Sequence, residues 1–359
     1  MAAVPEPREA PAPGSLMLGE IVEQPAALGR LLEHAGEAAA IAAEARRRGT
    51  TLVRMVGHGS SDNAASYGVY AFGLLPGWTA LRDSISLSVY YGAEVDLGGS
   101  LVVALSQSGQ TPDVVDYVER ARARGAFTVA VTNDPASDLA VAAEAVLPLG
   151  AGVEQAVAAT KTYTNELAAL ALIAACACGR GPEYVEGVRA LAGRLEQVLP
   201  SLEAELTRVA LQFAFVGRMF VVGRGPELAT AREISLKLLE TCRIAAEPLT
   251  ATDLVHGPVA ALDAFFPVWA VASGDESLPA VREAAARAVA AGATLVASGP
   301  AADELPGAAY RIRLPDTAPE LLAPILSVVP GQLFAWALAR AKGLDPDRPA
   351  GLSKITLTP

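Results

Sequence analysis

Two strand-turn-helix units recur in this chain at matching intervals, and the recurrence limits the possible folds more than any other feature. Arg54 to Val56 runs into Gly57-His58-Gly59-Ser60, and Met219 to Val222 runs into Gly223-Arg224-Gly225-Pro226. Ser106 lies 49 positions after Gly57, and Ser273 lies 50 positions after Gly223. Each serine follows an apolar run, Leu101 to Leu105 in the first case and Val268 to Ala272 in the second. Strands and helices alternate around these points. The first half reads as a strand at Thr51 to Val56, a helix from about Asp62, a helix at Asp113 to Arg124, a strand at Phe127 to Thr132, a helix at Ser137 to Glu144 and a strand at Ala145 to Leu149. The second half has helices from about Glu227 to Glu240 and from Pro279 to Ala290, with a strand at Thr294 to Ser298. Ala156 to Ala175 reads as one long helix, and a helical stretch from about Tyr184 to Phe213 joins the halves. The strands are apolar at nearly every position, as strands covered by helices on both faces are. The expected fold is therefore α/β, with two duplicated subdomains, each a parallel sheet flanked by helices.

A chain of 359 residues with 52% hydrophobic content can bury two medium cores. The organisation expected is a disordered leader at 1–16, a first domain at 17–195, a second at 196–345 and a tail at 346–359, each domain a flavodoxin-like three-layer unit. The net charge of -11, without a Lys/Arg cluster, argues against a nucleic-acid partner. The Pro-rich N-terminus lacks the apolar core of a secretory signal, and the run Leu167 to Cys178 is too short to span a bilayer. A cytoplasmic protein with no membrane partner is the expectation. The three cysteines, Cys176, Cys178 and Cys242, sit in apolar helical contexts without a nearby histidine, so neither a disulfide framework nor a metal site is expected, and no cofactor.

The turn Ser106-Gln107-Ser108-Gly109-Gln110-Thr111 is built to hold a phosphate. Ser106, Ser108 and Thr111 offer hydroxyl donors, Gly109 allows close backbone approach, and the following helix directs its positive end at the same point. An ordinary strand-to-helix turn with a Ser or Thr cap would read the same way. Its counterpart, Ser273-Gly274-Asp275-Glu276, carries two carboxylates that would repel an anion, so one phosphate site is expected and not two. On the helix after Gly225, Glu233, Lys237 and Glu240 fall within about 60° of one face. They form either an exposed pair contributing a few tenths of a kcal/mol or a functional charge cluster. Of the three histidines, His34 reads as a surface residue, His58 could touch a ligand from its glycine-flanked turn, and His256 precedes Gly257-Pro258 in a loop.

Several separated segments agree on a resemblance. Gly57-His58-Gly59-Ser60-Ser61, the Ser106 to Thr111 turn and Glu154 to Lys161 together resemble the phosphosugar site of the sugar isomerase (SIS) domain. Glu20 to Pro25, Glu233 to Glu240 and His256-Gly257-Pro258 resemble the isomerase half of glucosamine-6-phosphate synthase and the stand-alone deaminases of that type. The resemblance implies that Ser61, Ser106, Gln107, Ser108 and Thr111 bind phosphate and that Val157 makes a backbone contact to the sugar. It implies that Glu240 shuttles a proton between C1 and C2 through an enediol-like intermediate, beside Glu233 and Lys237. It further implies that His256 opens the sugar ring from a neighbouring subunit, hence a homodimer, and that Lys354 in the tail Gly351-Leu352-Ser353-Lys354 forms a Schiff base with the ketose carbonyl. The sequence departs from the family pattern at Asp253-Leu254-Val255 and at Leu239.

Glucosamine-6-phosphate synthase carries a glutaminase domain with a nucleophilic cysteine after the initiator methionine, whereas this sequence has Ala2 there and its first cysteine is Cys176. The expected reaction is thus ammonia release, glucosamine 6-phosphate plus water giving fructose 6-phosphate and ammonia. Cleavage of a fructosamine 6-phosphate, a glutaminase-lacking synthase-like isomerisation and a non-catalytic sugar-phosphate sensor are the alternatives.

Overall fold

A computed structural model describes residues 12–354. It contains two five-stranded sheets, all of whose strands are parallel. The first is built from β1 (Leu52–Val56), β2 (Thr79–Arg82), β3 (Leu101–Ser106), β4 (Phe127–Thr132) and β5 (Ala145–Pro148), in the order β2-β1-β3-β4-β5. The second is built from β6 (Arg218–Gly223), β7 (Ala245–Thr250), β8 (Val268–Val271), β9 (Leu295–Gly299) and β10 (Tyr310–Arg313), in the order β7-β6-β8-β9-β10. Strand for strand the two orders are the same, so the duplication is real and extends to topology.

Alternation along each strand explains how two sheets serve one molecule. In the first sheet Val53, Met55, Leu101, Val103, Val129 and Val131 face a large central core, while Val102, Ala104 and Ala130 face an outer one. The second sheet repeats this, with Met219, Val221, Trp269 and Val296 facing the same central core and Phe220, Val222, Val268 and Ala270 facing a separate outer cluster. Side chains alternate with period 2, so both faces can be apolar only if both are covered. The helices Lys161–Ala177, Gly181–Leu211 and Val329–Ala341 are among those that fill the central core. Gly331 permits the last to press onto Glu227–Cys242, because a Cβ there would lie 2.2 Å from Ile234 Cγ1.

Several local features differ from what the sequence suggested. Residues 151–160 form a loop, and the helix expected from Ala156 begins at Lys161; the alanine-rich composition suggested a helix, but tertiary hydrogen bonds hold the backbone open. The edge strands β2, β7 and β10 were not anticipated, because each is half-exposed and lacks a continuous apolar run. Among the described residues one stretch, Glu320–Ala341, is long and apolar enough to cross a membrane by length and composition, and it is buried in the protein's interior. The expected boundary between residues 195 and 196 falls inside the single helix Gly181–Leu211.

Candidate active site

In a sheet of order 2-1-3-4-5 the connections from β1 and β3 leave in opposite directions, and a crevice opens at the carboxyl ends of those two strands. The turns Gly57–Ser61 and Ser106–Thr111 lie there. Together they line a cavity of about 390 Å³ with His58, Ser61, Ser106, Gln107, Ser108, Thr111, Val157, Glu240 and Lys354. Residues separated by nearly 300 positions in the chain meet in one crevice.

The phosphate-type turn has the local structure its composition suggests. Gly109 adopts φ 63°, and a Cβ there would lie 2.0 Å from Ser137 Oγ, so only glycine fits. Its amide donates to Ser106 Oγ at 3.1 Å, and the Gln110 amide donates to Ser108 Oγ at 3.3 Å. Thr111 occupies the N-cap of helix Pro112–Ala123, yet its hydroxyl caps no backbone amide. A purely structural Ser/Thr cap would use that hydroxyl, so the ordinary explanation of the turn is the weaker one. His58 Nε2 meets Asp113 Oδ2 at 2.9 Å beside the same turn. In the second half Glu227 fills the corresponding space, accepting from Ser273 Oγ at 2.6 Å and from Ser327 Oγ at 2.9 Å.

Helix Glu227–Cys242 packs on helix Ser60–Leu74, bringing the charge cluster from the second half to the first half's crevice. Glu233 and Lys237 are fully buried, which excludes the exposed-pair alternative. Lys237 Nζ lies 2.8 Å from Glu240 Oε2 and 3.3 Å from Glu233 Oε1. Burial alone would lower the Lys237 pKa, but the two carboxylates outweigh it and hold the amine well above its ordinary value. Ser60 Oγ and Asn63 Nδ2 donate to Glu233, each at 2.9 Å. Burial raises the Glu233 pKa despite Lys237 and these donors. Of the cluster, only Glu240 reaches the cavity wall; Glu233 and Lys237 support it from behind.

The tail closes another side. Lys354 Nζ donates to Ala156 O at 2.7 Å and pairs with Glu154 Oε2 at 3.0 Å. Burial would raise the Glu154 pKa, yet Lys354 together with the Thr162 hydroxyl and the Thr160 amide holds it below the usual carboxylate range. Val157 donates its amide to Asp347 O at 3.0 Å, which leaves its carbonyl as the backbone group able to face a sugar. Glu20 braces the same loop from the N-terminal helix, accepting from the amides of Gln155 and Ala156.

One expected site residue is elsewhere. His256 ends the short helix Ala251–Val255, is exposed, and does not line this cavity. Sequence reading also missed Ser60, Asn63 and Glu166, which support the site from behind; a glutamate directly before the apolar run that begins at Leu167 was the available signal for the last.

A duplicated doubly wound α/β protein with one anion-type turn, facing a buried carboxylate–lysine cluster, is the class these features define. The chain belongs to the SIS domain family, whose model matches residues 53–176 and 212–340. It is 35% identical over 350 residues to glutamine--fructose-6-phosphate aminotransferase [isomerizing] of Aeropyrum pernix, covering 94% of this chain and 56% of the relative. The chain thus spans little more than half the length of the curated relatives it matches. Among solved structures, a candidate phosphosugar isomerase of Silicibacter pomeroyi DSS-3 superposes with TM-score 0.81 at 33% identity, covering 92% of this chain and 99% of that one. The C-terminal domain of glucosamine-fructose-6-phosphate aminotransferase from Francisella tularensis gives TM-score 0.85 at 26% identity, covering 97% and 100%.

Proposed function

We propose that the cavity binds an aminosugar phosphate, acts on its opened chain and converts glucosamine 6-phosphate and water to fructose 6-phosphate and ammonia. The supporting observation is that one cavity joins the hydroxyl-lined turn to Glu240 and Lys354. The turn grips the phosphate through Ser61, Ser106, Gln107, Ser108 and Thr111, and the helix start adds its positive end. At the opposite end Glu240 moves a proton between C1 and C2. Lys237 holds that carboxylate in place, and Glu233, fixed by Ser60 and Asn63, positions Lys237 in turn. A positioned carboxylate contributes roughly 10²- to 10⁴-fold to such a transfer.

Lys354 serves as the amine that meets the C2 carbonyl. To do so it leaves Glu154 and sheds a proton, and its place on a tail lining the cavity lets it swing inward. The exposed His256 acts on the ring oxygen in the cavity of a second copy of the chain, which makes the working unit a homodimer. No cysteine lines the cavity, and the three cysteines are free thiols, as suits a reducing cytoplasm.

The test is to supply the purified chain with glucosamine 6-phosphate and assay ammonia, with Glu240→Gln alongside. Ammonia release that Glu240→Gln abolishes supports the reading. No turnover of glucosamine 6-phosphate, with turnover of a fructosamine 6-phosphate instead, moves the substrate class. Binding without turnover of either makes the protein a sensor and overturns the catalytic assignment.

A further inference from the structure

Helix Lys161–Ala177 is buried at nearly every position, and Glu166 lies within it. Its Oε1 is 2.8 Å from Ser61 Oγ, and its Oε2 is buried with no partner. Ser61, itself buried, also lines the phosphate cavity, so one hydroxyl stands between an interior carboxyl group and the ligand site. A hydroxyl has one proton to donate. If it donates inward to a carboxylate, it turns its lone pairs toward the phosphate; if it accepts from a carboxylic acid, its proton is free to point outward.

The surroundings of Glu166 decide between these states. An ionised carboxylate with one orphaned oxygen and no cation is costly in a protein interior. Among the described residues Glu166 has no ion pair. The groups facing it are Glu233 from helix Glu227–Cys242, Glu154 from the preceding loop, Tyr163 one turn back on its own helix, and Ser61 from helix Ser60–Leu74. The lysines of this region pair with other carboxylates, Lys161 with Glu23, Lys237 with Glu233 and Glu240, and Lys354 with Glu154.

We propose that Glu166 is a positioning residue for the phosphate site: as a neutral carboxylic acid it donates its proton to Ser61 Oγ, so that the Ser61 hydroxyl donates to the bound phosphate. Half a turn of the carboxyl group presents its O–H to Ser61, and the chain of donors then runs from Glu166 through Ser61 to the anion. Burial pushes the Glu166 carboxyl up, the Ser61 hydrogen bond opposes this, and Glu233 and Glu154 add to the rise, which brings it to about 8. The neutral acid therefore predominates at pH 7. Above pH 8 the carboxylate forms, reclaims the Ser61 proton and sets a negative charge behind the phosphate. By linkage, a bound phosphate raises the Glu166 pKa further.

The inference rests on the phosphate reading of the cavity, and the experiment separates the two. The affinity of the full chain for inorganic phosphate is measured calorimetrically between pH 7.5 and 9.5 and referred to the concentration of the dianion, for wild type, Glu166→Gln and Ser61→Ala. Wild-type affinity is expected to fall by roughly tenfold over this interval, and the fall is expected to vanish in Glu166→Gln, whose amide donates at every pH. A flat wild-type profile, or an undiminished slope in Glu166→Gln, overturns the relay. Ser61→Ala that binds phosphate as wild type does overturns the relay as well, whereas wild-type protein that binds no phosphate at all overturns the phosphate reading itself. Should Glu166→Gln not fold, the slope is read in Glu166→Met, where a flat profile supports the relay and a retained slope overturns it.

Discussion

Lys237 Nζ stands 2.8 Å from Glu240 Oε2 and is wholly buried, so the one carboxylate of its cluster that reaches the cavity is held by a cation the solvent never touches. Removing one partner of a buried pair costs about 3–5 kcal/mol, because it strands the charge that remains. Lys237→Met is therefore expected to lower the unfolding free energy by that amount, and Lys237→Met combined with Glu233→Gln to recover part of the loss. Equal stability of the two variants in urea unfolding would mean that Glu233 is not stranded.

Thr111 separates a ligand-binding hydroxyl from a capping one. Its side chain caps no amide and has only a 3.4 Å contact with Ser106 Oγ. Thr111→Val should change folding stability by less than about 0.5 kcal/mol. A lost hydrogen bond to a charged phosphate should cost about 1.5 kcal/mol, roughly tenfold in affinity for a sugar phosphate. Calorimetric titration alongside thermal unfolding reads both quantities, and the reverse pattern, lost stability with unchanged affinity, would return Thr111 to a structural role.

What could be read from the sequence follows from how local each signal is. The strands β1, β3, β4, β6, β8 and β9 are apolar runs ending at glycine or hydroxyl turns, and the turns that form the crevice were visible for the same reason. The edge strand β7 contains Glu247 and Pro248 and pairs only with β6, so nothing in its composition separates it from a loop. The 151–160 loop escaped because Glu20, more than 130 positions away, binds its amides. Glu233, Lys237 and Glu240 share a helix face by spacing alone, but their burial depends on Ser60 and Asn63 from the other half. Glu166 became interpretable only when Ser61 was placed against it.

Glu20 gives a stability effect with a definite sign. Burial pushes its carboxyl up; the Gln155 and Ala156 amides pull it down and Glu154 pushes it up again, with about 7 the result. An acid whose folded pKa exceeds its unfolded value near 4.5 keeps its proton in the folded state while the unfolded chain has lost it. Stability is then highest below pH 4.5 as far as this group is concerned, falls as pH rises toward 7, and levels off above. Glu20→Gln retains an oxygen acceptor for the loop amides and has nothing to ionise. It should be more stable than wild type at pH 8 by about 1–3 kcal/mol, and the gain should disappear at pH 4.5. Urea unfolding at the two pH values checks this, and a gain that is the same at both would remove Glu20 from the account.

His256 lies outside the cavity of its own chain, and that placement yields a test no single variant can supply. If the histidine serves a second copy, Glu240→Gln and His256→Asn protomers each fail alone, but a dimer containing one of each has one cavity with both residues intact. Random mixing of equal amounts should therefore restore about a quarter of the wild-type active sites, since half the dimers are mixed and each mixed dimer has one complete site of two. The measurement is ammonia release after the two inactive proteins are co-refolded, compared with each refolded alone. Activity restored on mixing places His256 across the interface. Mixtures as inactive as their components, despite mixed dimers being present by mass spectrometry, place the histidine's action within its own chain, and the loop after Val255 would then have to fold inward to bring it there.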